Sequence, residues 1–501
     1  MAAMKFIVKF FPEITIKGAS ARGRFVSRLT GNVRHVLGEI DPDISIQRDW
    51  DKLVISSNLP RQAAFTRLVD GLSRCSGIAC FLDVFEHPLG DFDDMLEQVL
   101  AIYRERLAGK TFAVRCKRSG RHDFRSPDVE RHLGTGLLRQ TSSAGVDLSN
   151  PQVTVQLEIR DERLFVVNRR YQGMGGFPAG SLGPVLSLVS GGFDSTLASH
   201  QTMKRGLLTH FCLFRLGGSE HELRVKEMAL YLWMKYGSSH PVKFVTVPFE
   251  EVAAELLTKV QDSQMGVVLK RLMLRAATRL AGQLKIDALV TGESVAQVSS
   301  QTLRNLAVID SATNTLVLRP LISMDKNEII RQATAIGVEK FALGMPEYCG
   351  VISVNPTTRA SEARVTAAER QFDFSVLERC LAQARVEPVQ QLANRQLEQR
   401  QVEVLMSPLA DSVVIDIRHP TQAELQPLRI EAPVQNIPFY ELHSRVTALD
   451  ANKVYLLYCD RGVISKLHAG HLIESGFDNI KVYRPRAAKA EVEIRRLPDQ
   501  L

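Results

Sequence analysis

The chain has 501 residues, 45% of them hydrophobic, and 63 Lys and Arg against 55 Asp and Glu give it a net charge of +8. That length predicts two to four domains with real cores, and no apolar run approaches the ~20 residues of a membrane span, which argues against a membrane role. Seven scattered cysteines without a CxxC pair argue against a zinc site or a secreted disulfide framework; with no signal-peptide h-region after Met1-Ala2-Ala3-Met4, the cytoplasm is the expected compartment.

Along the first region, about 1–180, Lys5–Phe11 alternates as a strand and Arg22–Leu37 has helical periodicity. Ile44–Gln47 and Leu53–Ser56 read as short strands, Arg61–Leu72 as a helix and Ala79–Phe85 as a strand. The order is βαββαβ, a ferredoxin-like arrangement. A second α/β unit follows: helix Met95–Leu107, strand Thr111–Arg115, helix Pro127–Gln140 and strands Val153–Ile159 and Leu164–Asn168. Gly173–Gly180 reads as a linker. Residues 1–182 carry +5, 183–406 carry +3 and 407–501 carry zero, and Lys110–Arg139 alone holds eight basic and three acidic residues. Such a block suits a polyanion such as RNA or DNA, although for charge alone a solvated surface on an ordinary basic protein is the better reading.

The second region, about 181–395, alternates strands with helices. The strands are Val185–Val189, His210–Leu216, Val242–Pro248, Ala288–Thr291 and Leu316–Arg319. The helices are Ser195–Arg205, Glu220–Tyr236, Val267–Leu284 and Lys326–Ile336. This predicts a doubly wound parallel sheet with ligands at the C-terminal strand ends. Residues 360–400 read as helices leading to a linker. At the first strand end lies Ser190-Gly191-Gly192-Phe193-Asp194-Ser195. Glycines admit close approach, N–H groups converge, the helix dipole favours an anion, and Ser190 and Ser195 add hydroxyls. Asp194 repels phosphate unless Mg²⁺ stands between them. The loop lacks the G-x-x-x-x-G-K-[ST] of a Walker A motif. It resembles the S-G-G-x-D-S loop of the ATP pyrophosphatase (PP-loop) superfamily.

The third region, about 405–501, has strands Ser412–Arg418, Lys453–Tyr458 and Ile480–Tyr483 and helix Ser465–Ser475, a small separate α/β domain. Cys459 ends the middle strand just before that helix. Loop N–H groups and a helix N-terminus there would stabilise a nucleophilic thiolate or a persulfide. The segment Cys459–Ser465 resembles the active loop of rhodanese sulfurtransferases, with Asp416-x-Arg418 matching their early D-x-R. It departs at Ile464, where common rhodaneses carry arginine, which makes thiosulfate a poor sulfur source. Cys349, between Gly344 and Pro356, has no distinguishing local pattern.

An adenylating loop, a sulfur-transfer loop and a basic front together resemble the tRNA 4-thiouridine synthetase (tRNA sulfurtransferase) family, in its long form with a C-terminal rhodanese domain. Phe10–Lys17, Thr291-Gly292-Glu293-Ser294, Ser299–Thr302, Arg319–Lys326 and Pro346–Gly350 carry the likeness further. It implies a ferredoxin-like domain (1–75), a THUMP RNA-binding domain (76–175), a PP-loop adenylation domain (176–395) and a rhodanese-like domain (405–490). It implies MgATP-dependent adenylation of uridine 8 in tRNA and replacement of its C4 oxygen by sulfur. The sulfur comes from a cysteine desulfurase through a persulfide on Cys459, with Cys349 resolving that persulfide as a disulfide. A thiamine-pathway sulfur carrier protein is a second expected partner. At matching positions Leu188, Val189, Ser190, Gly191, Gly192, Ser195, Lys270, Gly292 and Gln301 contact ATP, Asp194 holds Mg²⁺ through ATP, and Lys326 neutralises charge on the activated oxygen. Residues 1–180 are expected to carry most of the tRNA affinity. Two rivals stand beside this: a small-molecule adenylating ligase or amidotransferase, which leaves Cys459 unexplained, and a non-catalytic RNA-binding sulfur carrier, which leaves Asp194 unexplained.

Overall fold

Strand β1 (Met4–Phe10) is covered on both faces: Phe6, Val8 and Phe10 enter one core, and on the other side Ile7, between half-buried Lys5 and Lys9, meets Leu82, Val84, Phe165 and Val167. Only an interior strand tolerates that pattern. The computed structural model describes residues 4–216, 219–343, 345, 356–392, 402–418, 420–446, 448–450, 452–459, 463–474 and 476–485. They form two compact units, one comprising the chain to Val185 with His200–Thr209 and Met234–His240, the other the remainder.

In the first unit β1 is joined by β2 (Ser45–Arg48), β3 (Lys52–Ser57), β4 (Ile78–Pro88), β5 (Thr111–Ser119), β6 (Gly145–Val146), β7 (Val153–Arg160) and β8 (Arg163–Gln172). They make one eight-stranded sheet, ordered β2-β3-β1-β4-β8-β7-β5-β6. Strand β4 pairs antiparallel with β1 on one side and β8 on the other, so the ferredoxin-like and following α/β parts share a strand. Helices Ala19–Gly38 and Arg61–Ser73 cover the first core, and Phe92–Tyr103 and Ser126–Gln140 the second. The stretch read as a linker is packed: Phe177 is buried in the first core and its ring lies 5.0 Å from that of Phe25. In β5 the period-2 alternation sends Val114 and Cys116 inward and leaves Arg115 and Lys117 exposed.

The second sheet contains β9 (Pro184–Leu188), β10 (Leu208–Arg215), β11 (Lys243–Pro248), β12 (Ala288–Val290), β13 (Leu316–Leu318) and β14 (Arg385–Pro388). Its order is β13-β12-β9-β10-β11-β14. The β10–β11 and β12–β13 pairs are parallel, as expected. The 360–400 stretch departs from the all-helical reading, because β14 pairs antiparallel with β11 at the sheet edge. The chain winds outward from β9 through β10 and β11, then returns to the other side of β9 with β12. That reversal is the switch point where open α/β sheets bind ligands. Helix Asp262–Leu284 buries Val268, Leu269, Leu272 and Leu280 against the sheet. Helices Glu250–Lys259 and Leu303–Asp310 had no place in the sequence reading.

The C-terminal α/β part has β15 (Val404–Leu405), β16 (Val413–Asp416), β17 (Val434–Asn436), β18 (Tyr455–Tyr458) and β19 (Ile480–Tyr483). Their order is β15-β19-β18-β16-β17, with parallel pairing between neighbours. Helix Val463–Glu474 follows β18. Among the described residues no helix is long and apolar enough to cross a membrane.

Candidate active site

The loop after β9 is built as an anion cradle. Gly191 takes φ +85°, which an L side chain rarely adopts, and a Cβ there would stand 2.5 Å from Met345 Cε. The Ser190 N–H donates to Ser195 Oγ at 3.1 Å, and Thr196 Oγ1 donates to the Gly192 carbonyl at 2.8 Å, closing the turn into helix Phe193–Arg205. A Cβ on Gly192 would meet nothing nearer than Ser190 Oγ at 3.7 Å, so that face is open. His221 Nε2 lies 3.1 Å from the Ser190 carbonyl and steadies the loop from below.

Asp194 already has cationic company. Lys326 Nζ donates to its two oxygens at 2.8 and 3.0 Å, and Gln297 Nε2 donates at 2.7 Å. The Asp325 side chain caps helix Lys326–Ala335 and so fixes where Lys326 starts. Gly292 is a close-approach glycine that also lines the cavity: a Cβ there would lie 2.5 Å from Asp194 C and Ser195 N, so the chain's own loop leaves no room for a side chain. Lys270 Nζ donates to Glu293 Oε1 at 2.8 Å, and Arg319 Nε donates to Glu293 Oε2 at 2.8 Å. Burial alone would raise the Glu293 carboxyl, but Lys270 and then Arg319 outweigh it and hold it at about 2. Gln301 is buried, and its Oε1 accepts the Ser294 N–H at 3.4 Å.

These groups surround a cavity of about 500 Å³. Leu188, Leu213, Phe214, Val267 and Met273 line it together with Ser190, Gly192, Asp194, Lys270 and Lys326. A cavity with both apolar walls and an anion cradle fits a nucleotide. No group of three or more His, Cys, Asp or Glu that could hold a metal occurs among the described residues. Asp194 alone therefore fits Mg²⁺ only if the metal's other ligands come with a phosphate. Met345 and Pro356, the described residues flanking the Cys349 segment, both line the cavity. Cys349 itself lies outside the described residues.

Cys459 is buried at the end of β18. The Ser465 N–H donates to its Sγ at 3.3 Å, and Ser465 Oγ lies 3.4 Å from it, so the sulfur sits over the first turn of helix Val463–Glu474. The D-x-R pair has a structural role beside it. Asp416 and Arg418 form a buried ion pair at 2.6 Å, and the guanidinium lies 5.0 Å from the Tyr458 ring centre, just before Cys459. Asp460–Gly462 lie outside the described residues, as does the Ile464 side chain. This C-terminal part rests on the nucleotide-site part. The rings of Phe341 and Phe439 are 5.1 Å apart, and His468 Nε2 is 3.4 Å from Glu227 Oε1. Burial pushes the Glu227 carboxyl up to about 8, against a smaller opposing pull from Arg224.

Sequence reasoning missed Gln297, Glu293, Arg319, His221 and Met345. Glu293 stands inside the Thr291–Ser294 motif and Arg319 opens the Arg319–Lys326 motif, and those motifs were the available signals. Gln297, His221 and Met345 are brought to the loop by topology.

The fold and site define a multidomain α/β protein with a phosphate loop and cavity at a sheet switch point. A family described as "Thiamine biosynthesis protein (ThiI)" matches residues 180–374, the THUMP domain matches 90–167, and the ThiI ferredoxin-like domain matches 5–81. The tRNA sulfurtransferase of Azotobacter vinelandii is 55% identical over 483 residues, 96% of this chain and 100% of that protein. That of Pseudomonas aeruginosa is 53% identical over the same shares. A crystal structure of a 4-thiouridine synthetase–RNA complex with bound ATP superposes with a TM-score of 0.66 at 27% identity, covering 77% of this chain and 100% of that one. The chain belongs to the tRNA sulfurtransferase family.

Proposed function

We propose that this chain is an ATP-dependent tRNA uracil 4-sulfurtransferase, which adenylates uridine 8 and replaces its C4 oxygen with sulfur. The observation that carries the reading is the convergence on one cavity of the phosphate loop, the Asp194–Lys326 pair and both flanks of the Cys349 segment. ATP, as substrate, turns the uracil oxygen into a leaving group. The loop N–H groups and the Ser190 and Ser195 hydroxyls receive its phosphates. Lys270 supplies a cation, and Asp194 would hold Mg²⁺ together with the phosphates, where the ion would offset their charge. Lys326, now on Asp194, neutralises charge on the activated oxygen.

Sulfur arrives as a persulfide on Cys459, loaded by a cysteine desulfurase. The helix N-terminus under its Sγ suits an anionic sulfur. The terminal sulfur attacks C4, AMP leaves, and a Cys459–S–S–C4 adduct remains. The Cys349 thiolate then attacks Cys459 Sγ and the thiouridine sulfur leaves with the bonding pair. The product is a Cys349–Cys459 disulfide, which an external dithiol reduces for the next turnover. Phe341, against which the C-terminal part rests, leads along the chain to Met345 and the Cys349 segment, and this supports delivery of sulfur there. The proposal includes the boundaries 1–75, 76–175, 176–395 and 405–490, a rhodanese-like character for the last, a cytoplasmic setting, and sulfur donation to a thiamine-pathway carrier protein. The name of the family matched at 180–374 supports that second role.

The test is a single turnover without reductant, using persulfide-loaded protein, tRNA and MgATP. Thiolated tRNA should appear with AMP and pyrophosphate, and peptide mapping should find Cys349 joined to Cys459. Cys349→Ala should load persulfide and lose most thiolation. Full multiple turnover in that variant would assign resolution of the persulfide to another thiol.

A further inference from the structure

Two cations, Lys270 and Arg319, converge on the single carboxylate of Glu293 beside the nucleotide cavity. Side-chain exposures are 17%, 11% and 10% for Lys270, Arg319 and Glu293, so the group is largely withdrawn from water. Arg319 is held from its other end, since its Nη1 and Nη2 donate to Asp310 at 3.0 and 2.5 Å. Thr291 Oγ1 donates to Glu293 at 3.1 Å. The four charges sum to zero.

Lys270, Glu293 and Thr291 line the cavity together with the phosphate-loop residues, and Lys270 is the cation this group brings to it. Without the Glu293 carboxylate between them, the Lys270 ammonium and the Arg319 guanidinium would face each other as like charges, and repulsion would turn Lys270 from its present place. An ammonium carries three donors, and Glu293 takes one. The others remain for a ligand.

Building on the nucleotide reading above, we propose that Glu293 is a positioning residue for ATP. It holds the Lys270 ammonium in place for the phosphates while Asp310 fixes Arg319 from its other end. Glu293 touches no reacting atom. It acts through Lys270, which separates it from Asp194 and Lys326.

The experiment measures equilibrium ATP binding calorimetrically on the full chain with Mg²⁺, alongside steady-state kinetics. Glu293→Gln preserves shape and removes the charge. Its Kd and KM for ATP should rise about tenfold with kcat changed less than about twofold. Adding Glu293→Gln to Lys270→Ala should weaken ATP binding no further. Glu293→Asp keeps the charge and should show a smaller loss, so it also serves if the glutamine variant folds poorly. Native-like binding by Glu293→Gln would overturn the proposal. Tighter binding would do so too, by showing that the carboxylate competes with phosphate. Additive losses with Lys270→Ala would reduce Glu293 to a structural residue. If the native chain bound no ATP, the nucleotide reading itself would fall.

Discussion

At Asp194 one carboxylate is shared by two donors before any nucleotide is considered, Lys326 and Gln297. Removing it takes from the Lys326 ammonium the carboxylate it holds and takes from the phosphate loop the carboxylate proposed above to hold Mg²⁺. Asp194→Ala should therefore lower tRNA-dependent pyrophosphate release at least about 100-fold. Persulfide loading on Cys459, which lies on another sheet, should be unchanged. Normal thiolated tRNA from this variant would end the assignment of Asp194. Two glycines separate packing from binding. In Gly292→Ala the new methyl meets loop backbone at 2.5 Å. Backbone must move, which costs about 1–3 kcal/mol and lowers the thermal midpoint. In Gly192→Ala the methyl enters the open cradle, with its nearest neighbour at 3.7 Å. That variant should melt like the native chain yet bind ATP weakly, by calorimetry. Equal melting of both would mean that the tight approach at Gly292 does not exist in solution.

At the scale of elements, β10 carries a buried histidine whose charge state matters. His210 Nδ1 accepts the Lys243 N–H at 2.9 Å, so it is neutral in the fold. Burial, and then Lys243, push its pKa down to about 4. His200, on helix Phe193–Arg205, is held down at about 3 by burial, then by Lys204 and Lys235. Unfolded histidines protonate near ~6.5. Below that pH the unfolded chain binds the extra protons, so stability present above ~6.5 is lost as pH falls toward the folded values, by up to ~1.4 kcal/mol per pH unit and histidine. The urea midpoint should drop between about pH 7 and 5, and His210→Asn, whose carbonyl can still accept the Lys243 N–H, should remove part of that drop. An unchanged drop would place the proton uptake elsewhere. The same elements show what sequence could reveal. The parallel strands β10, β11, β16 and β18 were legible because burial on both faces demands unbroken apolar runs. Strand β14 was not, since four residues at a sheet edge leave Val386 45% exposed and impose no pattern. In the site, the glycine loop and Cys459 were legible because their chemistry is local. The Asp194–Gln297 and Lys270–Glu293 bonds span 103 and 23 positions, and only the switch-point topology brings those partners together.

For the whole molecule, charge and folding units do not divide at the same residue. The first unit, which holds the basic strand β5 and helix Ser126–Gln140, also contains His200–Thr209 and Met234–His240. A fragment starting near residue 181 would strip those segments of the rest of their unit, and any loss of RNA binding would mix misfolding with lost contacts. Point charges in the intact chain avoid this. Lys117, Arg121, Arg131 and Arg139 are exposed, and together they sample β5, the loop after it and the helix. If this surface holds tRNA by its backbone, each phosphate contact releases counterions, and removing it flattens the salt dependence by about 0.7–0.9 in log–log slope. Changing all four to Gln should therefore weaken tRNA binding severely near physiological salt, with a slope smaller by about 2 to 4. ATP binding and persulfide loading should be untouched, because both sites lie in the other unit. Changing Arg429 and Lys453, exposed on the C-terminal part, removes charge without touching this surface and should leave the slope unaltered. If the control and the fourfold variant lost affinity equally, net charge rather than a built surface would be what tRNA recognises.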